Sequence, residues 1–380
     1  MKLTILKDHL TEAISHVAKA ISSRTTIPIL TGIKIDATSG GVTLTASDTD
    51  ISIQSHIPIE KEGTSIIDLR QNGSVVLPAK FFMEMIRKLP SQQIEIEVKD
   101  HFQTTIRSGS SEIQLMGLDP EEFPLLPMLE ESRTIRIPSD ILRTMIKQTS
   151  FAVSTNETTA ILTGVLWTIE NGKLKFVACD RHRLASREVN IDLDPSQKFS
   201  NIVISGRTLN ELNKVLPDHN TLIDIVIADN QVLFKIHSIL FYTRILDGTY
   251  PDTSKLIQET FQTELNVNTK QLTEAIDRAY LLSREDKTNI VKLIMREDQS
   301  IEISSTSTEL GKVTEEINLN SIRGDLLRIS FNSKYMLEAL KVMDSENIHI
   351  GFTGAMQPII IKPEDGAEIL QLILPYRTTN

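Results

Sequence analysis

The stretch ILTGVLWTIENGKLKFVACDRHRL, residues 161–184, predicts a β-hairpin. A β-rich run over 161–169 is followed by Asn-Gly at 171–172, a pair that tolerates positive φ at both central positions of a tight turn. A second run covers 173–178 and leads to the charged tip DRHR at 180–183. We therefore expect two paired strands with a cluster of charge at the end of the second.

Parts of this stretch occur a second time, 132 residues earlier in the chain. ILTG stands at 29–32 and again at 161–164, and ASD at 46–48 corresponds to ACD at 178–180. Two matches with the same offset indicate an internal repeat with a long period. We expect a strand to begin directly at ILTG in both copies.

The predicted helices extend the repeat to three units. Apolar residues at helical spacing predict six helices, over 7–21, 79–89, 139–151, 206–216, 268–283 and 333–343. The second helix of each unit starts 127 residues after the previous one, at Ala79, Gly206 and Ser333. Units of this length can each bury a core. We predict an α+β chain of three tandem homologous domains, each with two helices packed on antiparallel sheet, over 1–128, 129–256 and 257–380.

The composition is that of an ordinary soluble protein, with 40% hydrophobic and 24% charged residues. No apolar run is long enough to span a bilayer, and the N-terminus lacks the pattern of a secretory signal. The single cysteine, Cys179, excludes an internal disulfide and a zinc site with several cysteines. We expect a cytoplasmic protein.

The charge is unevenly distributed along the chain. The formal net charge is −10, which argues against nucleic-acid binding unless positive charge is concentrated on one face. The six predicted helices together carry +5, so the remaining residues carry −15. Lys80, Arg207 and Lys334 each follow the start of a second helix. A helical face of this kind can attract phosphates without reading bases.

Four motifs and their order resemble the bacterial DNA sliding clamps, the beta subunits of DNA polymerase III. They are SSRTTIPILTG at 22–32, DRHRLA at 180–185, DGTYPD at 247–252 and LILPYR at 372–377. The resemblance covers the whole chain. It implies a head-to-tail homodimer that forms a ring around duplex DNA, in a non-catalytic processivity factor that needs no cofactor or metal. The implied location is the cytoplasm, in association with the nucleoid.

The resemblance also implies partners and site residues. Replicative and repair polymerases, the clamp loader and mismatch-repair proteins would bind through short peptides to a pocket between the second and third domains. The pocket set is Leu162, Cys179, Arg181, His182, Arg183, Leu184, Pro251, Lys255, Leu256, Pro358, Leu372, Pro375, Tyr376 and Arg377. The DNA-contact set is Arg24, Lys80, Asn156, Arg207 and Lys334, and the dimer-interface set is Ile113, Leu115, Leu281 and Leu282.

The chemistry of the pocket set suits peptide recognition. Its leucines and prolines would form an apolar slot, with Leu184 and Leu372 as the floor, while His182 and Arg183 would orient the peptide from the rim. Two positions depart from the family, which usually has threonine at Cys179 and a small residue at Arg181. In the segment 155–161, Asn156 is the residue able to donate a hydrogen bond to DNA.

Two other functions compete with a clamp. An enzyme could use Asp180, His182 and Ser186, but no glycines of a nucleophile elbow surround the serine. The histidines show no metal-ligand spacing, and no phosphate-binding glycine motif is present. The second alternative is a protein-binding scaffold that does not encircle DNA, and retention on circular DNA would distinguish it from a clamp.

Overall fold

The structure is a computed structural model that describes residues 1–22, 25–126, 129, 134–192, 198–285 and 287–377. Arg24, one of the predicted DNA contacts, lies outside these residues. The described part of the chain contains six α-helices: α1 (Lys7–Val17), α2 (Ala79–Lys88), α3 (Ser139–Thr149), α4 (Gly206–Asn213), α5 (Thr269–Glu285) and α6 (Ser333–Leu340). None of these helices is long and apolar enough to cross a membrane.

Strands make up most of the remaining structure, and every paired strand runs antiparallel to its neighbours. The first repeat contains β1 (Lys2–Leu6), β2 (Gly32–Thr38), β3 (Gly41–Ser47), β4 (Ile51–Pro58), β5 (Glu60–Lys61), β6 (Thr64–Ser65), β7 (Ile67–Gln71), β8 (Gly73–Pro78), β9 (Gln93–Val98), β10 (Gln103–Ser108) and β11 (Ser111–Met116). The second contains β12 (Thr134–Pro138), β13 (Gly164–Glu170), β14 (Lys173–Cys179), β15 (Arg183–Asn190), β16 (Phe199–Ser205), β17 (Leu222–Ile227), β18 (Gln231–Ile236) and β19 (Ile239–Arg244). The third contains β20 (Thr263–Asn268), β21 (Ile290–Met295), β22 (Ser300–Ser307), β23 (Gly311–Asn318), β24 (Ser321–Gly324), β25 (Arg328–Asn332), β26 (Asn347–Phe352), β27 (Ile359–Pro363) and β28 (Ile369–Ile373).

The hairpin predicted from 161–184 is confirmed. Strands β13 and β14 pair directly, with Glu170 opposite Lys173 at the turn. Asn171 and Gly172 adopt φ values of 54° and 72°, as a two-residue turn with positive φ at both positions requires.

The expected start of the strands at ILTG is wrong. Both copies begin instead with 3₁₀ turns, Pro28–Thr31 and Glu157–Thr163, and the strands start at the following glycine. The threonine of each copy explains the difference. Thr31 donates its hydroxyl to the Pro28 carbonyl and Thr163 to the Ala160 carbonyl, each at 2.7 Å, which stabilises a turn rather than an extended chain.

The second-helix starts agree with the predicted register, because α2, α4 and α6 begin at Ala79, Gly206 and Ser333. Several helix ends were predicted too late. Leu89 adopts ψ 141° because it precedes Pro90, and a residue before proline disfavours the helical conformation. After α4 and α6 the hydrogen bonds tighten to three-residue spacing, from Val215 to Leu212 and from Met343 to Leu340.

The shorter helices reduce the predicted concentration of positive charge. Lys19, Lys214 and Lys341 lie just beyond the ends of α1, α4 and α6. The net charge within the six helices is therefore +2 rather than +5. Lysines placed after helix ends interact favourably with the helix dipole, so these three positions have an ordinary structural explanation.

Backbone contacts divide the chain into two compact units. The first contains residues 1–140 and 211–245, and the second contains residues 141–210 and 246–380, so strands of the middle repeat contribute to both. In the first unit, the sheets have the orders β11-β10-β9-β1-β7 and β12-β17-β18-β19-β4-β3-β2-β8. We call the β4–β19 pairing, with Phe241 opposite Ile53, the first seam, because it joins strands of the first and second repeats.

In the second unit, a nine-stranded sheet has the order β16-β13-β14-β15-β28-β27-β26-β20-β24, and a four-stranded sheet has the order β23-β22-β21-β25. The β15–β28 pairing, which we call the second seam, joins strands of the second and third repeats, with Leu184 opposite Leu372. The main core of the third repeat lies between α5, α6 and their sheets, and it includes the fully buried Phe331.

Candidate functional site

The charged tip between β14 and β15 is shaped by the side chain of Asp180. One carboxylate oxygen, Oδ1, accepts hydrogen bonds from the backbone N–H groups of His182 and Arg183, both at 3.0 Å. The backbone N–H of Asp180 donates to the Arg183 carbonyl at 3.2 Å and closes the turn. Aspartate commonly stabilises such reversals because its short side chain reaches the backbone two residues ahead.

Arg183 is predicted to lie on the rim of the pocket, but in the structure it is buried, with only 9% of the residue exposed. Its Nε donates to Asp180 Oδ2 at 3.0 Å, Nη2 donates to the Phe151 carbonyl at 2.7 Å, and Nη1 donates to Glu338. The guanidinium also lies over the Tyr335 ring, 4.4 Å from its centroid. Successive strand residues point to opposite faces, so Arg183 faces away from the neighbouring Leu184. Arg183 therefore links the tip to α6 on the face of β15 opposite Leu184.

The structure brings the predicted apolar floor together. Leu162, Leu184 and Leu372 are each 2–3% exposed and belong to one cluster with Cys179, Tyr250 and Ile360. The hydroxyl of Tyr250 accepts a hydrogen bond from the backbone N–H of Cys179 at 2.9 Å and donates to its Sγ at 3.6 Å. Burial raises the pKa of the Cys179 thiol, so the sulfur remains protonated and behaves as an apolar group.

Other residues of the predicted pocket set lie in the same unit and are more exposed than the floor. Leu256 and Tyr376 are 45% and 54% exposed, and Pro251, Lys255 and Arg377 are also exposed, while Pro358 and Pro375 are half-buried. The C-terminal strand segment is held in place by backbone hydrogen bonds from Leu374 to His182 at 2.8 Å and from Tyr376 to Ser330 at 2.6 Å. The tail of the chain is therefore part of the site's scaffold.

The site also contains three residues that were not predicted from the sequence: Tyr335, Glu338 and Tyr250. The Tyr335 ring stacks near His182 with centroids 6.4 Å apart, and Glu338 pairs with Arg183. These two side chains come from α6, one helical turn apart, and only the folded chain brings them to the tip. Tyr250 lies within the quoted DGTYPD motif, so that motif was an available signal.

A cavity of about 630 Å³ adjoins the apolar cluster and was also missed. Leu166, Val177 and Tyr250 line it on the apolar side, and Lys175 and Glu188 line it on the polar side. Its lining comes from β13, β14 and β15 and from the segment after Tyr250, so no single motif marks it.

Three of the predicted DNA contacts occupy equivalent positions in the three repeats. Lys80, Arg207 and Lys334 are exposed and stand second in α2, α4 and α6. Asn156 instead caps the turn that follows it, because its Oδ1 accepts from the backbone N–H and the hydroxyl of Thr158 at 3.0 and 2.8 Å. These bonds use the amide oxygen, and a contact of Asn156 with DNA stays a prediction.

The predicted dimer contacts lie on exposed elements of each unit. Ile113 and Leu115 point to the same side of β11, an edge strand of the five-stranded sheet. A cavity of about 630 Å³ lies beside Ile113 and includes Phe81, which is 57% exposed. Leu281, 52% exposed, and the half-buried Leu282 lie near the end of α5.

The geometry at the tip does not support the catalytic alternative. Asp180 bonds to backbone N–H groups and to Arg183, rather than to the ring of His182. Ser186 is 6% exposed within β15. Among the described residues, no group of three or more His, Cys, Asp or Glu side chains could hold a metal ion.

Comparison with known proteins identifies the family. The N-terminal, central and C-terminal domains of the DNA polymerase III beta subunit match residues 1–127, 136–252 and 254–377. The chain is 52% identical to the beta sliding clamp of Bacillus subtilis (strain 168) and 50% identical to that of Halalkalibacterium halodurans, with complete coverage of both chains in each case.

Solved structures agree. The DNA polymerase sliding clamp from Bacillus subtilis superposes with a TM-score of 0.97 at 52% identity, covering all of both chains. The beta chain of DNA polymerase III from Streptococcus pneumoniae superposes with a TM-score of 0.95 at 36% identity, covering 99% of this chain and all of the other. The chain therefore belongs to the DNA polymerase III beta subunit family, the beta sliding clamps.

Proposed function

We propose that this chain is a non-catalytic processivity factor of DNA polymerase III, which forms a ring-shaped homodimer around duplex DNA and tethers polymerases to it. Membership of the beta sliding clamp family supports this role. The proposed ring acts at the nucleoid in the cytoplasm and binds DNA without sequence preference, through phosphate contacts.

The observation that carries the proposal is the repeated cation at the second position of α2, α4 and α6. A positive side chain there faces the positive end of the helix dipole and costs about 0.3–1 kcal/mol at each helix. Lys80, Arg207 and Lys334 occur at this place in all three repeats, whereas helix stability alone would favour an acidic or capping residue. Contacts of these side chains with DNA phosphates account for the arrangement, because each phosphate neutralised by a Lys or Arg releases counterions and adds to affinity.

The proposal is tested by comparing the protein on circular and linear DNA of one sequence. Protein loaded on a nicked circle with a clamp loader is expected to survive a wash in high salt, since escape requires the ring to open. After the circle is cut, the same protein is expected to slide off the ends. Equal loss from circular and linear DNA would instead favour a scaffold that does not encircle DNA.

We infer that the ring closes through heterologous contacts, each made by one end of a protomer and the opposite end of its partner. Two such contacts give a closed dimer with twofold symmetry. The edge strand β11 with Ile113 and Leu115 supplies one side, and Leu281 with Leu282 supplies the other. Exposed apolar groups beside an unpaired strand edge support this assignment, because such edges are available for pairing with another chain.

The second unit is the proposed docking site for short peptides of polymerases, the clamp loader and mismatch-repair proteins. A buried apolar floor of Leu162, Leu184 and Leu372, together with the exposed Leu256 and Tyr376 of the same unit, suits a peptide with a few apolar anchors. His182 and Arg377 supply polar contacts to its backbone. Arg183 acts here by holding the tip, since its own donors are engaged within the protein.

A further inference from the structure

The backbone at Arg181 adopts a conformation that its side chain disfavours. Its φ of 74° lies in the left-handed region, where glycine is at ease and residues with a Cβ are strained. The turn itself does not demand this conformation. The corresponding turn at Asp48 also closes, with Asp48 Oδ1 accepting from the N–H groups of Asp50 and Ile51, yet Thr49 is not among the described residues with positive φ.

The guanidinium of Arg181 is hydrogen-bonded to the segment that carries part of the apolar floor. Its Nη2 donates to the hydroxyl of Thr159 at 3.0 Å. Thr159 lies in the 3₁₀ segment Glu157–Thr163, which also carries Leu162 of the floor. The arginine thus reaches from the tip to a segment that contributes Leu162 to the floor of the proposed peptide site.

The remaining donors of Arg181 are available to a partner. The side chain is exposed, and within the described part of the chain no carboxylate forms an ion pair with it. The nearest carboxylate in sequence, Asp180, is already bonded to two backbone N–H groups and to Arg183. A guanidinium held at one end by a hydroxyl presents its other N–H groups in a fork that matches a carboxylate.

We propose that Arg181 is a specificity-determining residue, which makes this site prefer partner peptides with a carboxylate next to their apolar anchors. The inference rests on the proposed peptide-binding function. A purely structural role, in which Arg181 only ties the tip to Thr159, would contribute equally to the binding of every peptide. The two roles therefore differ in whether the effect depends on peptide charge.

The test uses the full-length protein and two synthetic peptides with the same leucine and phenylalanine anchors, one with Asp and one with Asn between them. Binding is measured by calorimetry for the wild type, Arg181→Gln and Arg181→Lys. Lys362→Gln is the matched control, because it removes one exposed positive charge from β27 in the same unit. Thermal unfolding of Arg181→Gly measures the strain, and its midpoint is expected to rise.

The wild type is expected to prefer the Asp peptide by about 2- to 5-fold, as befits an exposed ion pair, and to lose this preference in high salt. Arg181→Gln should bind both peptides equally, having lost more affinity for the Asp peptide than for the Asn peptide, while Arg181→Lys and Lys362→Gln keep a preference. An unchanged preference in Arg181→Gln would overturn the inference, as would equal loss of both peptides. If the wild type binds neither peptide, the proposed peptide-binding function fails as well.

Discussion

The two seams have the same backbone plan but different side chains. Leu30, Val76 and Phe123 form a cluster in the first unit, and Leu162, Val203 and Tyr250 hold the corresponding repeat positions in the cluster that includes Leu184 and Leu372 of the second seam. The strands that form the seams differ at the cross-strand pair that flanks each turn, the turn at Asp48 in the first copy and the turn at Asp180 in the second. Ser47 pairs with Ser52 at the first seam, and their hydroxyls hydrogen-bond at 2.6 Å. Cys179 pairs with Leu184 at the second seam, and both belong to its apolar cluster.

A second difference lies directly beyond the tip. Ile51, 1% exposed, begins β4 at the first seam, whereas Arg183 begins β15 at the second and carries hydrogen bonds to Asp180, Glu338 and Phe151. The two seams thus share the antiparallel sheet junction but differ in polarity at a few positions. The side chains, rather than the shared backbone, therefore distinguish the second seam as the proposed peptide site.

The largest expected effect comes from removing Arg183. Arg183→Met leaves the carboxylates of Asp180 and Glu338 without their buried cation, so we expect the unit to lose about 3–5 kcal/mol of stability. Urea denaturation followed by a probe in the second unit measures this loss. Arg183→Met combined with Glu338→Gln should recover part of it, since one uncompensated charge is then removed. A neutral single substitution would mean that Arg183 and Ile51 have equivalent roles at the two seams.

An intermediate effect is expected when the second seam is made to resemble the first. Leu184→Ser replaces part of the apolar floor with the residue found at Ser52, and removing such an anchor contact costs about 1–3 kcal/mol of binding, or roughly 5- to 150-fold in affinity. Calorimetry with a clamp-binding peptide measures the loss, and sedimentation should show an unchanged dimer. Ser52→Ala is the matched control at the first seam, and it should leave peptide affinity unaltered. Full affinity in Leu184→Ser would place the peptide elsewhere.

The smallest effect should be similar in the two units, because α2 and α6 each carry a lysine at their second position. Lys80→Ala and Lys334→Ala each remove a cation from a helix start, and we expect each helix to gain about 0.3–1 kcal/mol of stability. Each substitution should also reduce the slope of log affinity for duplex DNA against log salt by about 1. Thermal unfolding and salt-dependent DNA binding provide the two measurements. A change in slope for only one lysine would show that the repeats contact DNA unequally.

The sequence by itself determined the repeat, the hairpin and the starts of the second helices. These features depend on local interactions along the chain. The pair Asn171-Gly172 favours a tight turn whatever its surroundings, and the 127-residue spacing of Ala79, Gly206 and Ser333 can be read from the sequence. Where local signals were weaker, prediction failed. The turns at Pro28–Thr31 and Glu157–Thr163 look extended by composition, but they are stabilised by threonine side chains bonding back to the backbone.

Only the tertiary structure determined which residues at the second seam are buried and which partners they contact. Arg183 looks like a surface residue in the sequence, but its neighbours come from segments far away along the chain, 32 residues to Phe151 and 155 residues to Glu338. The pairing of Leu184 with Leu372 likewise joins two repeats through a sheet edge that no local pattern specifies. Burial and the partners of a charge are properties of the assembled sheet and helix, and for that reason the role of Arg183 could not be derived from its motif alone.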